Sequence, residues 1–136
     1  MIPCWPALPL DLFIEGSDLD IPGHATDLGH AEKHLITLFG GSDFSTHFSD
    51  TNGIPTLVAR LRMSVFPIEI FLQPVPTRRQ AAYVHMINEY RVLQEKGTTF
   101  REQVLQLKRS GVKTEPAFAQ LLGLSGDPYE AMFRLF

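Results

Sequence analysis

Apolar and polar residues alternate in the first half of the chain, whereas apolar residues recur at helical spacing in the second half. Alternation is strongest at residues 56–63 and 66–72, which are predicted to be strands. Shorter strands are predicted at 10–14, at an acidic stretch that ends before Pro22, and at 43–50. A helix is predicted from an N-cap at Thr26 to Phe39, before Gly40-Gly41. The first half is therefore expected to form a small sheet with one helix.

Only Ser64 and Val65 separate the two strongest strands. That spacing predicts a tight antiparallel hairpin. Counting outward from a two-residue loop places position 60 opposite position 69.

From residue 77 onward the apolar spacing is helical. Helices are predicted at 77–95, before Gly97, and at 99–110, where Thr99 and Glu102 form a capping box. Two short helices are expected to start near Thr114 and after Asp127. The predicted fold class is α/β (α+β), with a small mixed sheet and a helical C-terminal half. We expect one domain over residues 1–136, with an irregular segment at 1–9, the sheet region at 10–73 and the helical region at 74–136.

The composition is that of a globular protein, with 136 residues, 44% hydrophobic residues and 20% charged residues. A net charge of −3 gives no sign of general nucleic-acid binding. Cys4 is the single cysteine, so no intramolecular disulfide can form and a cytoplasmic location is expected. The sequence has no apolar run long enough to span a membrane.

The acidic stretch Gly16-Ser17-Asp18-Leu19-Asp20-Ile21 combines alternation with concentrated negative charge. In a strand, Asp18 and Asp20 would lie on one face, with Leu19 and Ile21 on the other. Neighbouring carboxylates repel each other, and Mg²⁺ is commonly held by such carboxylates together with substrate phosphates. The alternative is that the two aspartates only cap a turn.

Glu69 is the one charged residue in the apolar strand 66–72. If its strand lies beside the acidic one, three carboxylates converge, as a metal-dependent phosphoryl- or nucleotidyl-transfer site requires. The alternative is an ion pair across the hairpin with Arg60 at an exposed edge of the sheet.

Several segments together resemble a known family. Gly16-Ser17-Asp18-Leu19-Asp20-Ile21 is similar to the acidic half of the nucleotidyltransferase superfamily signature. The later segments resemble domain-of-unknown-function family 4269, and they are residues 66–71, 73–76, 82–83, 85–86, 113–118, 121–124 and 126–130. The resemblance implies a nucleotidyltransferase-like fold in which Asp18 and Asp20 are paired metal ligands and Glu69 is the third carboxylate. It also implies a nucleoside triphosphate substrate, an unknown hydroxyl acceptor and one or two Mg²⁺ ions.

One part of the superfamily pattern is absent. Members carry Gly-Ser or Gly-Thr about ten residues before the acidic pair, where Pro6 and Ala7 stand here. Proline has no amide hydrogen and alanine has no hydroxyl, so neither can receive nucleotide phosphates. Gly16 and Ser17 are then the remaining candidates for nucleotide contact. Two expectations follow: an N-terminally shortened enzyme, or an inactive relative that acts as a binding module.

Other polar residues offer weaker candidates. His30 and His34 are spaced to share one face of the predicted helix, and His24 lies just upstream of it. The three histidines allow a metal site, but such residues are more typical of a solvated surface. His85 is predicted to be either a substrate-contacting base or a packed helix residue. Arg78 and Arg79 suit phosphate binding, although such a pair is usually solvated.

Overall fold

The structure, a computed structural model, describes residues 10–136. The predicted irregular segment at 1–9, with Pro6 and Ala7, lies outside the described residues. The described residues divide into two compact units, namely a sheet unit of residues 17–80 and a helical unit of residues 10–16 and 81–136. The expectation of a single domain over the whole chain stays a prediction.

Four strands and one helix build the sheet unit. They are β1 (Leu19–His24), α1 (Leu28–Phe39), β2 (Ser45–Thr51), β3 (Ile54–Met63) and β4 (Phe66–Gln73). The strand order is β1-β4-β3-β2, with β1 parallel to β4 and the other two pairings antiparallel. The prediction of a mixed α/β fold with a small sheet is confirmed.

The β3–β4 hairpin has the predicted two-residue turn. Ser64, in that turn, has a φ of 57°, a conformation that twists a tight hairpin correctly. The register places Arg60 opposite Glu69, as predicted. The β2–β3 connection is also tight, because Asn52 and Gly53 have φ values of 54° and 81°.

Two predicted element ends in this unit were wrong. β1 does not stop before Pro22 but continues through it to His24. Because β1 is an edge strand, a proline can be accommodated without breaking an internal hydrogen-bond ladder. The N-cap of α1 is Asp27 instead of Thr26, since its carboxylate accepts a 2.8 Å hydrogen bond from the amide of His30.

Leu57, Ala59, Ile68 and Leu72 are buried on one face of the sheet. The helix α1 lies over that face, where Thr46 of β2 donates a 2.7 Å hydrogen bond to Glu32. No residue of α1 is fully buried.

Three helices build the helical unit, namely α2 (Ala81–Arg109), α3 (Thr114–Leu122) and α4 (Pro128–Phe133). Gly97 interrupts α2 with a φ of 77° and a ψ of −164°, so α2 consists of two helical segments, as predicted. The start predicted at Thr77 forms only a short 3₁₀ turn over Thr77–Arg79. Asp127 caps α4 by accepting a hydrogen bond from the amide of Glu130.

The helical core also includes two residues that precede the sheet. Leu10 and Leu12 are buried in it, so the strand predicted at 10–14 was wrong. Asp11 between them has a φ of 56°, which is incompatible with an extended strand. The other buried core residues are Val92, Leu93, Phe100, Val104, Leu105, Ala117, Phe118 and Met132. Within residues 10–136, no helix has both the length and the hydropathy to cross a bilayer.

Candidate functional site

Two of the three predicted carboxylates are neighbours in the sheet. The parallel pairing of β1 with β4 sets Asp20 beside Glu69 in register. Residues paired in this way project from the same face of a sheet. The helix α1 covers the face that carries Leu57 and Leu72. Glu69 is an odd number of residues from Leu72 along β4, so it projects from the opposite face. Both carboxylate residues are half-buried.

Arg60 extends the same row of side chains onto β3. Its guanidinium forms an ion pair with Glu69, its directly opposite neighbour. The Glu69 side chain is 18% exposed and that of Arg60 is 57% exposed, so the pair opens to water on the arginine side. Across β1, β4 and β3, the row therefore reads acid, acid, base. The ion pair predicted as the alternative is present, but the exposed edge predicted for it was wrong, because β3 and β4 are the two central strands of the sheet.

The third predicted carboxylate, Asp18, lies just ahead of β1 and is exposed. Ser17 is half-buried, and Gly16 has a φ of 85° in the preceding turn, a conformation that favours glycine. Within the described part of the chain, no three His, Cys, Asp or Glu side chains are close enough together to hold a metal ion. The proposed metal site of Asp18, Asp20 and Glu69 thus stays a prediction. The structure places only Asp20 and Glu69 next to each other.

The other sequence candidates lie at the surface. His24, His30 and His34 are all exposed. Arg78 and Arg79 are exposed in the 3₁₀ turn, as expected for a solvated pair. None of these residues has a ligand-like environment among the described contacts.

A second polar cluster lies within the helical unit, around His85 of α2. Its Nε2 donates to the carbonyl of Tyr129 at 2.8 Å, and its Nδ1 lies 3.3 Å from Oε1 of Glu115. The His85 side chain is 8% exposed, and the ring of Phe133 packs edge-on against it. Because both ring nitrogens are occupied, the packed role predicted for His85 fits better than the role of a base.

The pKa values of His85 and Glu115 shift in opposite directions. Burial alone would lower the pKa of His85, but the Glu115 carboxylate and the Tyr129 carbonyl raise it above 6.5. Burial alone would raise the pKa of Glu115, but the hydrogen bond with His85 and nearby positive charge lower it below 4.5. Both shifts favour the charged forms, an imidazolium and a carboxylate, in the contact that joins α2 to α3.

Two further buried groups lie in the helical unit. Glu89 is 2% exposed, and burial together with the charge of Glu115 raises its pKa well above 4.5, against the opposing effect of Lys108. The ammonium of Lys108 donates a 2.6 Å hydrogen bond to the carbonyl of Leu12. Sequence reasoning missed this set because charged residues on helices usually face solvent. The available signal was the position of Glu89 on the same helical face as His85 and Val92.

Comparison with known families gives one match. The model of a family described as Domain of unknown function (DUF4269) matches residues 4–135. The chain belongs to the DUF4269 family. The DUF4269 match covers the sheet carboxylates as well as the polar cluster of the helical unit. Searches of curated proteins and of solved structures found no match.

Proposed function

We propose that this DUF4269 chain is a nucleotidyltransferase-like protein that moves a nucleoside monophosphate from a nucleoside triphosphate to a hydroxyl acceptor. Asp18, Asp20 and Glu69 would be the catalytic and metal-ligating carboxylates. The observation that supports this most is the register that sets Asp20 beside Glu69 on one sheet face. Adjacent carboxylates repel each other, and Mg²⁺ relieves the repulsion while it also binds triphosphate oxygens.

The donor chemistry of these residues suits Mg²⁺, but within residues 10–136 no three such side chains lie close enough together to hold the ion without rearrangement. Carboxylate oxygens are the donors that Mg²⁺ prefers, and Asp18 is placed two positions before Asp20. The Glu69 carboxylate forms an ion pair with Arg60, so the guanidinium competes with any metal ion for that carboxylate. Once displaced, Arg60 would have a geometry suited to a phosphate group.

The proposed reaction balances without further reagents. The acceptor oxygen forms a bond to the α-phosphorus, the bond from that phosphorus to the bridging oxygen breaks, and pyrophosphate leaves. Glu69 would either ligate a metal ion or take the acceptor proton, which otherwise passes to water, and Gly16 and Ser17 would contact the nucleotide. A bound Mg²⁺ supplies Lewis-acid stabilisation of the developing phosphate charge. The proposed setting is the cytoplasm, and the net charge gives no reason to choose a nucleic-acid acceptor.

A second candidate is an inactive relative that acts as a binding or interaction module. The Arg60–Glu69 ion pair favours it, because this pair already satisfies one of the three carboxylates without a metal. In this alternative Arg60 is structural, and the acidic row binds no divalent ion.

Calorimetric titration with Mg²⁺ separates the two candidates. For an enzyme, Arg60→Gln should bind Mg²⁺ more tightly than the wild type, since it removes the competing cation, and Asp20→Asn should bind it more weakly. Glu95→Gln, which neutralises an exposed carboxylate of α2, should match the wild type. Absence of Mg²⁺ binding by both the wild type and Arg60→Gln would support the binding module.

Pyrophosphate release from the four common nucleoside triphosphates, with a panel of hydroxyl acceptors, then tests the chemistry. Asp20→Asn should lower release at least tenfold, a factor of about 10–100 being typical for residues that merely support metal ligands. Equal rates for the wild type and Asp20→Asn would reject the catalytic role of Asp20.

A further inference from the structure

Among residues 10–136, the strand β2 lies at one edge of the sheet and pairs only with β3. It is last in the strand order, and all of its residues except Thr46 are exposed. Its pairing with β3 is regular over Ser45–Thr51, so no bulge twists the edge away from solvent. Its sequence, Ser-Thr-His-Phe-Ser-Asp-Thr, contains no proline or lysine, the residues that commonly protect such edges.

An apolar surface adjoins this edge. Phe48, in the middle of β2, is 53% exposed on the face that carries Leu57 and α1. On α1, Phe39 is 40% exposed, and its ring centroid lies 6.5 Å from that of Phe44, the residue just ahead of β2. A partner at this edge would therefore find main-chain hydrogen-bonding groups next to apolar side chains.

We infer that β2 pairs antiparallel with β2 of a second copy of this chain, which forms a dimer with one continuous sheet of both copies. A twofold axis through Phe48 pairs all seven residues of β2 and places Phe48 opposite its counterpart in the second copy. The same axis sets α1 of both copies on the same side of the joined sheet.

The residues of β2 suit this pairing with themselves. Ser45 would oppose Thr51, Thr46 would oppose Asp50 and His47 would oppose Ser49, so no two like charges meet. An aromatic pair would lie at the centre, and aromatic pairs directly opposite each other stabilise antiparallel strands. Alternate residues of an edge strand point their amide and carbonyl groups outward, so about six to eight main-chain hydrogen bonds would form.

Analytical ultracentrifugation of the full chain over a range of concentrations tests the dimer. The wild type should show a reversible monomer–dimer equilibrium. Phe48→Lys should raise the dissociation constant at least about tenfold, since it removes the aromatic pair and opposes two cations. Val65→Lys, which changes a 73% exposed residue of the β3–β4 turn, should leave the constant unchanged. A monomer at all concentrations, or equal weakening by both variants, would overturn the inference.

Disulfide trapping tests the register and does not depend on Phe48→Lys being folded. In a Cys4→Ser background, Phe48→Cys would place one cysteine of each copy directly opposite the other, with their β-carbons about 5 Å apart. Ser45→Cys places its two thiols about 20 Å apart, six residues along the strand. Oxidation should link Phe48→Cys dimers and leave Ser45→Cys unlinked. Equal linking of both, or of neither, would contradict the proposed pairing, and so would binding of extended peptides by a chain that never self-associates.

Discussion

Replacing His85 with glutamine should lower the stability of the helical unit in a pH-dependent way. Glutamine can still donate to the Tyr129 carbonyl, but it cannot carry the positive charge that pairs with Glu115. The substitution therefore removes one charge-assisted hydrogen bond and preserves the neutral one. Such bonds contribute about 1.5–3 kcal/mol, and the 3.3 Å separation places this one near the lower end. We expect a loss of about 1.5 kcal/mol where both groups are charged, a tenfold change in the folding equilibrium.

The pH window follows from the direction of each pKa shift. The pKa of His85 is raised in the folded state, so its contribution is fully present below 6.5 and is lost as pH rises through the folded value. The pKa of Glu115 is lowered, so its contribution is present above 4.5 and is lost as pH falls through the folded value. The His85–Glu115 pair should therefore stabilise the folded state most between pH 4.5 and pH 6.5. The loss of unfolding free energy caused by His85→Gln should become smaller toward alkaline pH.

Urea unfolding followed by far-ultraviolet circular dichroism provides the assay, at about pH 5.5 and about pH 8.5. The matched control is His30→Gln, which removes an exposed histidine of α1 and should change stability by less than about 0.5 kcal/mol at either pH. In addition, the ring resonances of His85 should titrate above pH 6.5 in the wild type. An equal cost of His85→Gln at both pH values would refute the ion-pair interpretation.

Three further predictions concern stability and are measured by the same unfolding assay. The free energy of unfolding of Glu89→Gln should increase relative to that of the wild type as pH rises above 4.5, because the raised pKa of Glu89 means that its ionisation destabilises the folded state. A difference between the two proteins that does not change with pH would contradict this. Gly97→Ala should cost about 1–3 kcal/mol from backbone strain alone, because nothing lies within 4 Å of the added methyl group, whereas the control Gly29→Ala within α1 should gain about 0.5–1 kcal/mol. Phe118→Ala should cost about 3–5 kcal/mol, because Phe118 is fully buried and its ring packs on another aromatic ring; a cost below about 1 kcal/mol would show a loosely packed core.

Local patterns were sufficient for most elements of the fold. Alternation identified β3 and β4, and the two-residue spacing between them fixed the register that sets Arg60 opposite Glu69. Glycine and capping residues located the interruption at Gly97 and the start of α4 at Asp127. These features depend on residues only a few positions apart, which is why the sequence alone could predict them.

Predictions failed where distant segments decide the outcome. The segment 10–14 has the alternation of a strand, but Leu10 and Leu12 are buried in the helical core and Lys108 bonds the Leu12 carbonyl. Pro22 signals a strand end, but an edge position lets β1 continue through it. In both cases the competing interaction comes from residues far away in sequence.

The candidate site shows the same division. Sequence patterns alone identify Asp20 and Glu69 as carboxylates in strand-forming segments with alternating faces. The parallel, in-register pairing of β1 with β4 is visible only in the folded chain, where it makes Asp20 and Glu69 neighbours while Glu69 pairs with Arg60. Likewise, only the packing of α2 with α3 and α4 brought His85 to Glu115 and Tyr129. Periodicity specifies which face a side chain occupies, whereas the partner opposite that face is chosen by burial and pairing across the whole chain.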